Sequence, residues 1–413
     1  MLGALKHPFQ PKLLQQRMPV QAKPCPAKMA KHLGSPVVAP AGTFQEEVRK
    51  AVLRWMNRGE NTGYSFVEKG SVVFCSTIGK REENQDRTLF LRLIPQRESW
   101  PLTTALILCD GMGGMTGGAT AAELAVSSFV AAFSASKSDS LVAQLCNATE
   151  AANAEVFKRF AGRGGATLSA IGATSKGDWA CVNVGDSRVY GFLKNGEVVQ
   201  ISTDDTLGNI LSGMEVAAPP AQFRELLQYV GMGKGIQVHA IPISDPDSYH
   251  CLFLTTDGAH EVDQQLFKDI VVGAGSLRDI ARRLTTVSDW KGGKDNATVA
   301  AWSINTVDIK EFVSEDRGFL EVWGLPGKFE ITSRQESRSS IFQGKDSEPS
   351  RSSRRRQPSP KKAERVIDAG SSHSTRDESR MAHDAEQGTI SEVSSLGTVD
   401  AQEPQLQIEI SEA

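Results

Sequence analysis

Two rhythms of apolar residues run through this 413-residue chain. Short, nearly continuous apolar runs of strand length fall at 71–76, 88–91, 106–109, 179–184, 189–193, 198–201, 249–254 and 297–303. Runs this short, bounded by Gly, Asp and Asn, read as buried strands. Longer segments at 44–58, 119–133, 141–160 and 277–286 read as helices, and the first opens on Thr43-Phe44-Gln45-Glu46, the pattern of a capping box. Asn195-Gly196 predicts a two-residue hairpin turn. The stretch 202–235 is mixed, with a short helix expected at 221–229, and reads as a flap over the domain. Paired strands with helices between them predict an α+β or α/β fold around a β core over 71–303.

Outside that span the rhythm stops. Residues 1–42 are rich in Pro and Lys, without periodicity, and are expected to be a disordered basic extension. The globular domain is expected over 43–305, with its chemistry within 70–303. The remainder, 306–413, reads as a mostly disordered tail, Ser/Arg-rich and then acidic. One apolar island at 322–329 interrupts it and could dock on the domain or on a partner.

Composition acts by exclusion. A formal net charge of −3 implies no global pull toward nucleic acid or membranes. No run of about 18 apolar residues is present, so no membrane span is expected, and residues 1–40 lack the apolar core and cleavage pattern of a secretory signal. Six cysteines without CxxC spacing, several inside strand-like runs, read as buried free thiols in a reducing compartment. The expected location is cytoplasmic.

The candidate chemistry sits at the strand ends. Asp86, Asp110, Asp186 and Asp257 border strand-like runs, and a fifth run follows Asp295. One such Asp is ordinary turn chemistry, but the recurrence is not. Carboxylates cannot stay ionised close together without compensating charge. If the fold converges them, either their pKa values rise or a divalent metal binds, and all-oxygen donors favour Mg²⁺ or Mn²⁺ over Zn²⁺. Arg81 could offer a planar fork to phosphate oxygens, or be a solvated charge beside Glu82 and Glu83. Asp186-Ser187-Arg188 could be only a turn with a local ion pair. His239, His250 and His260 have no ligand spacing and read as structural or solvated.

The ordered series Arg81-x-x-Asn84-Gln85-Asp86, Asp110-Gly111-Met112-Gly113-Gly114, Gly165-Ala166-Thr167, Gly185-Asp186-Ser187-Arg188, Thr256-Asp257-Gly258 and Asp295-Asn296-Ala297-Thr298-Val299 resembles the metal-dependent protein phosphatases of type 2C, in the forms of their bacterial branch. The resemblance implies an α+β fold, a central β-sandwich flanked by helices in a four-layer αββα arrangement. It also implies two Mg²⁺ or Mn²⁺ ions, with a weaker third in some members, and hydrolysis of phosphoserine and phosphothreonine by a metal-activated water. Carried over by position, Asp110 would bridge both metals and the Gly111 carbonyl would bind one. Asp257 and Asp295 would complete the other, and Asp86 would hold a metal directly or through water. Arg81 would bind the substrate phosphate, Asp186 with Asp257 would hold the third ion, and Asn296 would support the ligands from behind. Gln85 and Met112 replace an acidic residue and a His of eukaryotic relatives, as bacterial-type members also do. The implied partners are phosphoproteins and a cognate Ser/Thr kinase, with the tail as a candidate protein-binding segment; neither membrane nor nucleic acid is expected. The alternative is a catalytically silent scaffold or phosphoprotein-binding protein, but such relatives typically lose metal aspartates.

Overall fold

A computed structural model describes residues 43–67, 71–95, 101–112, 117–211, 225–304, 319–333 and 406–407. The expected basic extension, residues 113–116 of the glycine turn and the Ser/Arg-rich and acidic tracts lie outside the described residues. The chain runs α1 (Phe44–Met56), β1 (Gly63–Val67), β2 (Val72–Thr77), β3 (Arg87–Ile94), β4 (Thr103–Cys109), α2 (Gly118–Ser134), α3 (Leu141–Phe160), β5 (Leu168–Thr174), β6 (Trp179–Val184), β7 (Arg188–Leu193) and β8 (Val198–Gln200). It continues through α4 (Leu207–Leu211), β9 (His239–Pro242), β10 (Tyr249–Thr255), α5 (Asp257–His260), α6 (Gln264–Val272), α7 (Leu277–Trp290), β11 (Ala297–Ser303), β12 (Phe319–Gly324), β13 (Gly327–Ser333) and β14 (Leu406–Gln407).

The strands form two antiparallel sheets, ordered β1-β2-β11-β10-β7-β8 and β14-β13-β12-β3-β4-β5-β6-β9. Strand alternation explains the layers. All seven residues of β4 are buried. Leu106 and Leu108 face the other sheet, where they meet Phe74, Leu252, Leu254 and Trp302, while Ala105, Ile107 and Cys109 face α2 and α3. A strand covered on both faces has no polar side to show, so it reads as an unbroken apolar run. On β10, Leu252 and Leu254 join the same inter-sheet core, while Cys251 and Phe253 pack under α6 and α7. The result is helices, two sheets and helices again, the α+β architecture expected. Helix α2 is apolar nearly all round because almost every position is buried.

Several local readings change. Thr43 caps α1 through Glu46 N–H at 3.4 Å, but the Glu46 carboxylate pairs with Arg49 rather than closing a capping box. Residues 225–230 do not continue a helix: Leu226 bridges Thr206 and Val230 bridges Ala166, tying this end of the flap to the domain, and 221–224 lie outside the described residues. Helix α6 was not expected; its start signal is Asp263, whose carboxylate accepts from Gln265 N–H and Leu266 N–H, both at 3.0 Å. The apolar island becomes the hairpin β12–β13, paired onto β3 from Phe319↔Ile94 to Gly324↔Leu89. The sheet therefore runs past the boundary expected at 305. Periodicity could not show this, because what covers an apolar segment is a non-local fact. Cys75, Cys109, Cys181 and Cys251 are buried free thiols, Cys146 is buried as well, and Cys25 lies outside the described residues.

Candidate metal centre

Register alone brings the five aspartates to one edge of the sandwich. Asp86 precedes β3 and Asp110 follows β4, and the pair Arg87↔Cys109 sets these ends side by side. Leu108↔Ser169 and Leu168↔Val184 carry the same edge across to the β6–β7 turn that holds Asp186. In the other sheet Thr255↔Arg188 and Thr255↔Val299 align the end of β10, followed by Asp257, with the start of β11, preceded by Asp295. The pair Ala297↔Thr77 then adds the loop carrying Arg81.

Asp86 is the buried member, at 1 % exposure, whereas Asp110, Asp186, Asp257 and Asp295 are half-buried. Its Oδ2 accepts from Thr298 Oγ1 at 2.6 Å and Thr256 Oγ1 at 3.0 Å. The Thr298 hydroxyl lies 2.7 Å from Ser76 Oγ, which accepts from Asn84 Nδ2 at 2.8 Å, and Asn84 Oδ1 accepts from Asp86 N–H. This hydroxyl nest fixes one carboxylate oxygen and leaves the other without a hydrogen-bond partner among the described residues. Sequence reasoning missed Ser76 and Thr298; the available signal was a hydroxyl inside an otherwise apolar strand.

Asp110 is anchored through its backbone, its N–H donating to Thr167 Oγ1 at 2.9 Å and its carbonyl accepting from Thr167 N–H at 2.8 Å. Gly111 N–H donates to Gln85 O, and a Cβ on Gly111 would collide with Gly118 O. Only glycine allows the two turns this close. The Asn296 side chain accepts from Gln85 N–H at 2.8 Å and donates to Ile78 O and Glu83 O, clamping the Arg81 loop to the Asp295 turn. Arg81 arrives at the edge but its guanidinium pairs with Asp295 at 2.6 Å.

Asp186 does not pair with Arg188. Arg188 instead makes a two-pronged bond to Asp204, the closest contact 2.7 Å, and reaches the Tyr190 hydroxyl. Asp205, at the root of the flap, accepts from Gly185 N–H at 2.9 Å and from Gln228 Nε2, and meets His239 Nε2 at 2.7 Å. His239 is thus a structural partner of the turn, and His260 is buried with its Nδ1 2.8 Å from Thr255 Oγ1.

The electrostatics single out this edge. Burial, reinforced by Asp86, Asp257, Asp186 and Asp295, pushes the Asp110 carboxyl well above the usual range. Burial also raises Asp86 to about 6, against the pull of Thr298 and Thr256, Asp186 to about 6, with Asp204 adding to it, and Asp257 to about 8, with Asp186 and Asp295 adding to it. Oδ1 of Asp86 and Oδ1 of Asp257 are buried without a hydrogen-bond partner among the described residues. Orphaned carboxylate oxygens, mutual repulsion and an all-oxygen donor set fit a divalent hard cation. Among the described residues no three His, Cys, Asp or Glu side chains are yet drawn into a finished cage. The carboxylates share one edge of the sandwich, and Asp295 is turned to Arg81.

A stability profile follows from these shifts. The raised carboxyls keep their protons to higher pH folded than unfolded, so unfolding free energy in EDTA should fall as pH rises from about 4 to 8. His239, raised by its bond to Asp205, acts in the same sense, while His260, pushed down by burial, opposes it. Thermal melts of metal-free protein should therefore be highest on the acid side of neutrality. A melting temperature that climbs steadily from pH 5 to 8 would show that the carboxyls do not share a site.

The comparisons with known proteins meet at this same region. A family profile described as "Protein phosphatase 2C" matches residues 75–291, just over half of the chain. It takes in Arg81, Asp86, Asp110, Gly111, Asp186 and Asp257, and stops before Asp295 and Asn296. Protein phosphatase PhpP of Streptococcus pneumoniae serotype 2 (strain D39 / NCTC 7466) is 29% identical over 220 residues, spanning 50% of this chain and 88% of the relative. Among solved structures, serine/threonine phosphatase Stp1 from Staphylococcus aureus superposes with a TM-score of 0.48 at 22% identity, covering 60% of this chain and 98% of that one. The Mycobacterium tuberculosis serine/threonine phosphatase PstP/Ppp gives 0.47 at 23% identity, covering 57% and 98%.

Proposed function

The chain belongs to the protein phosphatase 2C family, and from that premise we propose that it removes phosphate from phosphoserine and phosphothreonine side chains of proteins at the Asp86–Asp110–Asp257–Asp295 edge. The observation that carries this reading is the pair of orphaned carboxylate oxygens, on Asp86 and Asp257, among carboxyls that raise one another. Asp86, Asp110, Asp257 and Asp295, with the Gly111 carbonyl, would hold two Mg²⁺ or Mn²⁺ ions, and Asp186 with Asp257 a third. Such ions, when bound, supply charge for the phosphoryl oxygens and lower the pKa of a bound water.

The chain's own residues do the rest. Thr256 and Thr298 keep Asp86 from rotating and leave its other oxygen unbonded, available to an ion. Asn296 keeps the Arg81 loop beside Asp295. Arg81, once released from Asp295, can grip two phosphate oxygens with one planar fork. Met112 has no proton to give, so the leaving alkoxide would take its proton from water or another donor. A silent scaffold is not favoured, since every aspartate of the series is present and the relatives are named as phosphatases.

The reading extends to a Ser/Thr kinase whose products the enzyme would reverse, to a protein partner for the tail and to a cytoplasmic setting. No helix among the described residues is long and apolar enough to cross a membrane. The test is hydrolysis of p-nitrophenyl phosphate and of a phosphothreonine peptide by the full chain with Mn²⁺, Mg²⁺ or EDTA. Turnover of both that requires metal is the expected result. Folded protein that hydrolyses neither substrate in either metal would overturn the proposal, and turnover that survives EDTA would move the chemistry away from these carboxylates.

A further inference from the structure

Strand edges invite extra strands, and this protein has one edge that stands out. An edge strand exposes unpaired N–H and C=O groups, and native sheets blunt such edges by keeping them short, inserting Pro or covering them. The six-stranded sheet ends in β1 and β8, of five and three residues, and β9 of the other sheet has four and closes on Pro242. Without β14 the remaining edge would be β13, seven residues long with no Pro, bearing Phe329 and Ile331 in the helix-covered core. It is the longest of the four and carries the apolar alternation of an interior strand.

Against it lies β14, antiparallel, with the pairs Thr332↔Gln407 and Ser333↔Leu406. The sequence around β14 is Leu406-Gln407-Ile408-Glu409-Ile410, apolar at every second position, the rhythm of a strand with one buried face. Residues opposite one another in an antiparallel pair lie on the same face of the sheet. Carried on in the same register, Ile408 would stand opposite Ile331 and Ile410 opposite Phe329, the face covered by Trp55 of α1, whose ring stacks on Phe329 at 5.8 Å. Glu409 would fall opposite Glu330, whose charge is already held by Lys328. Ile408 and Ile410 would thus meet apolar residues while Leu406 stands opposite Ser333, and a shift by one residue would lose both apolar matches.

We propose that residues 406–410 form a strand that the chain adds to its own sheet, and that the β13 edge is a β-augmentation surface whose occupant is this C-terminal segment. Main-chain bonds supply the attachment, and the alternation of Leu406, Ile408 and Ile410 supplies the register. This inference does not depend on the phosphatase reading.

Hydrogen–deuterium exchange on the full chain tests it. In the wild type the 327–333 segment should be protected. Gln407→Pro removes a backbone donor, and Ile408→Asp removes an apolar match while leaving the backbone intact. Each should speed exchange of that segment by about tenfold, the factor that one or two net hydrogen bonds provide. A synthetic peptide of residues 404–413 added in excess to Gln407→Pro should restore protection. Equal exchange in wild type and both variants would overturn the proposal. So would protection confined to a dimeric fraction on size exclusion, which would assign the strand to a second copy.

Discussion

Asp110→Asn should lose metal-dependent turnover by about a thousandfold or more, since the stabilisation a metal ion gives a phosphoryl transition state is several kcal/mol and each 1.4 kcal/mol is about tenfold. The same substitution should leave the melting temperature of metal-free protein unchanged or raise it. The backbone anchors of this position, to Thr167 N–H and Thr167 Oγ1, do not involve the carboxylate and survive in Asn. What is removed is a carboxyl whose charged form is opposed by burial and by four neighbouring aspartates, so its loss relieves strain. Phosphothreonine-peptide hydrolysis and a melt in EDTA separate the two halves. Retained Mn²⁺-dependent turnover would remove Asp110 from the site, and a variant that melts many degrees lower would make its carboxylate a structural element.

Deleting 319–333 should unfold the domain. The hairpin buries Leu320, Val322, Trp323, Phe329 and Ile331, each at 6 % exposure or less. At about 1.5–3 kcal/mol for each large apolar side chain, the loss is on the order of 10 kcal/mol, as large as the whole stability of a typical domain. The deletion also strips Glu321 from buried Arg92 and exposes the edge of β3, and removal of one partner from a buried ion pair is itself destabilising. Fragment 43–334 is expected to melt cooperatively and 43–305 to be aggregated or molten. Trp323→Ala is the milder form, expected to lower stability by about 3–5 kcal/mol through the cavity left between Phe90 and Arg92. Near-ultraviolet circular dichroism and urea melts decide this, and a 43–305 fragment as stable as 43–334 would refute it.

Elements whose cause is local could be read from the chain. Helix α3 with its Ser140 cap, the Asn195-Gly196 turn and the strands that end in Asp each follow from periodicity, capping or turn chemistry within a few residues. Helix α6 was missed although its Asp263 cap is local, because its short apolar stripe is broken by polar residues. A helix was expected at 221–229, and in its described part Leu226 instead bridges Thr206, with Val230 just beyond it bridging Ala166.

By itself the sequence determined which residues could do the chemistry: an ordered set of carboxylates at strand ends, glycines where backbone must approach closely, and an arginine on the neighbouring loop. The tertiary structure alone decided that Asp86 and Asp295, far apart along the chain, share one edge. It also decided that Ser76, Thr256 and Thr298 form a nest under Asp86, that Arg81 rests on Asp295, and that an apolar island beyond the expected boundary completes the sheet. The reason is that periodicity is a property of neighbours in sequence. Register, burial and the repulsion among carboxyls are properties of neighbours in space, and antiparallel pairing makes those neighbours out of segments that carry no signal of one another.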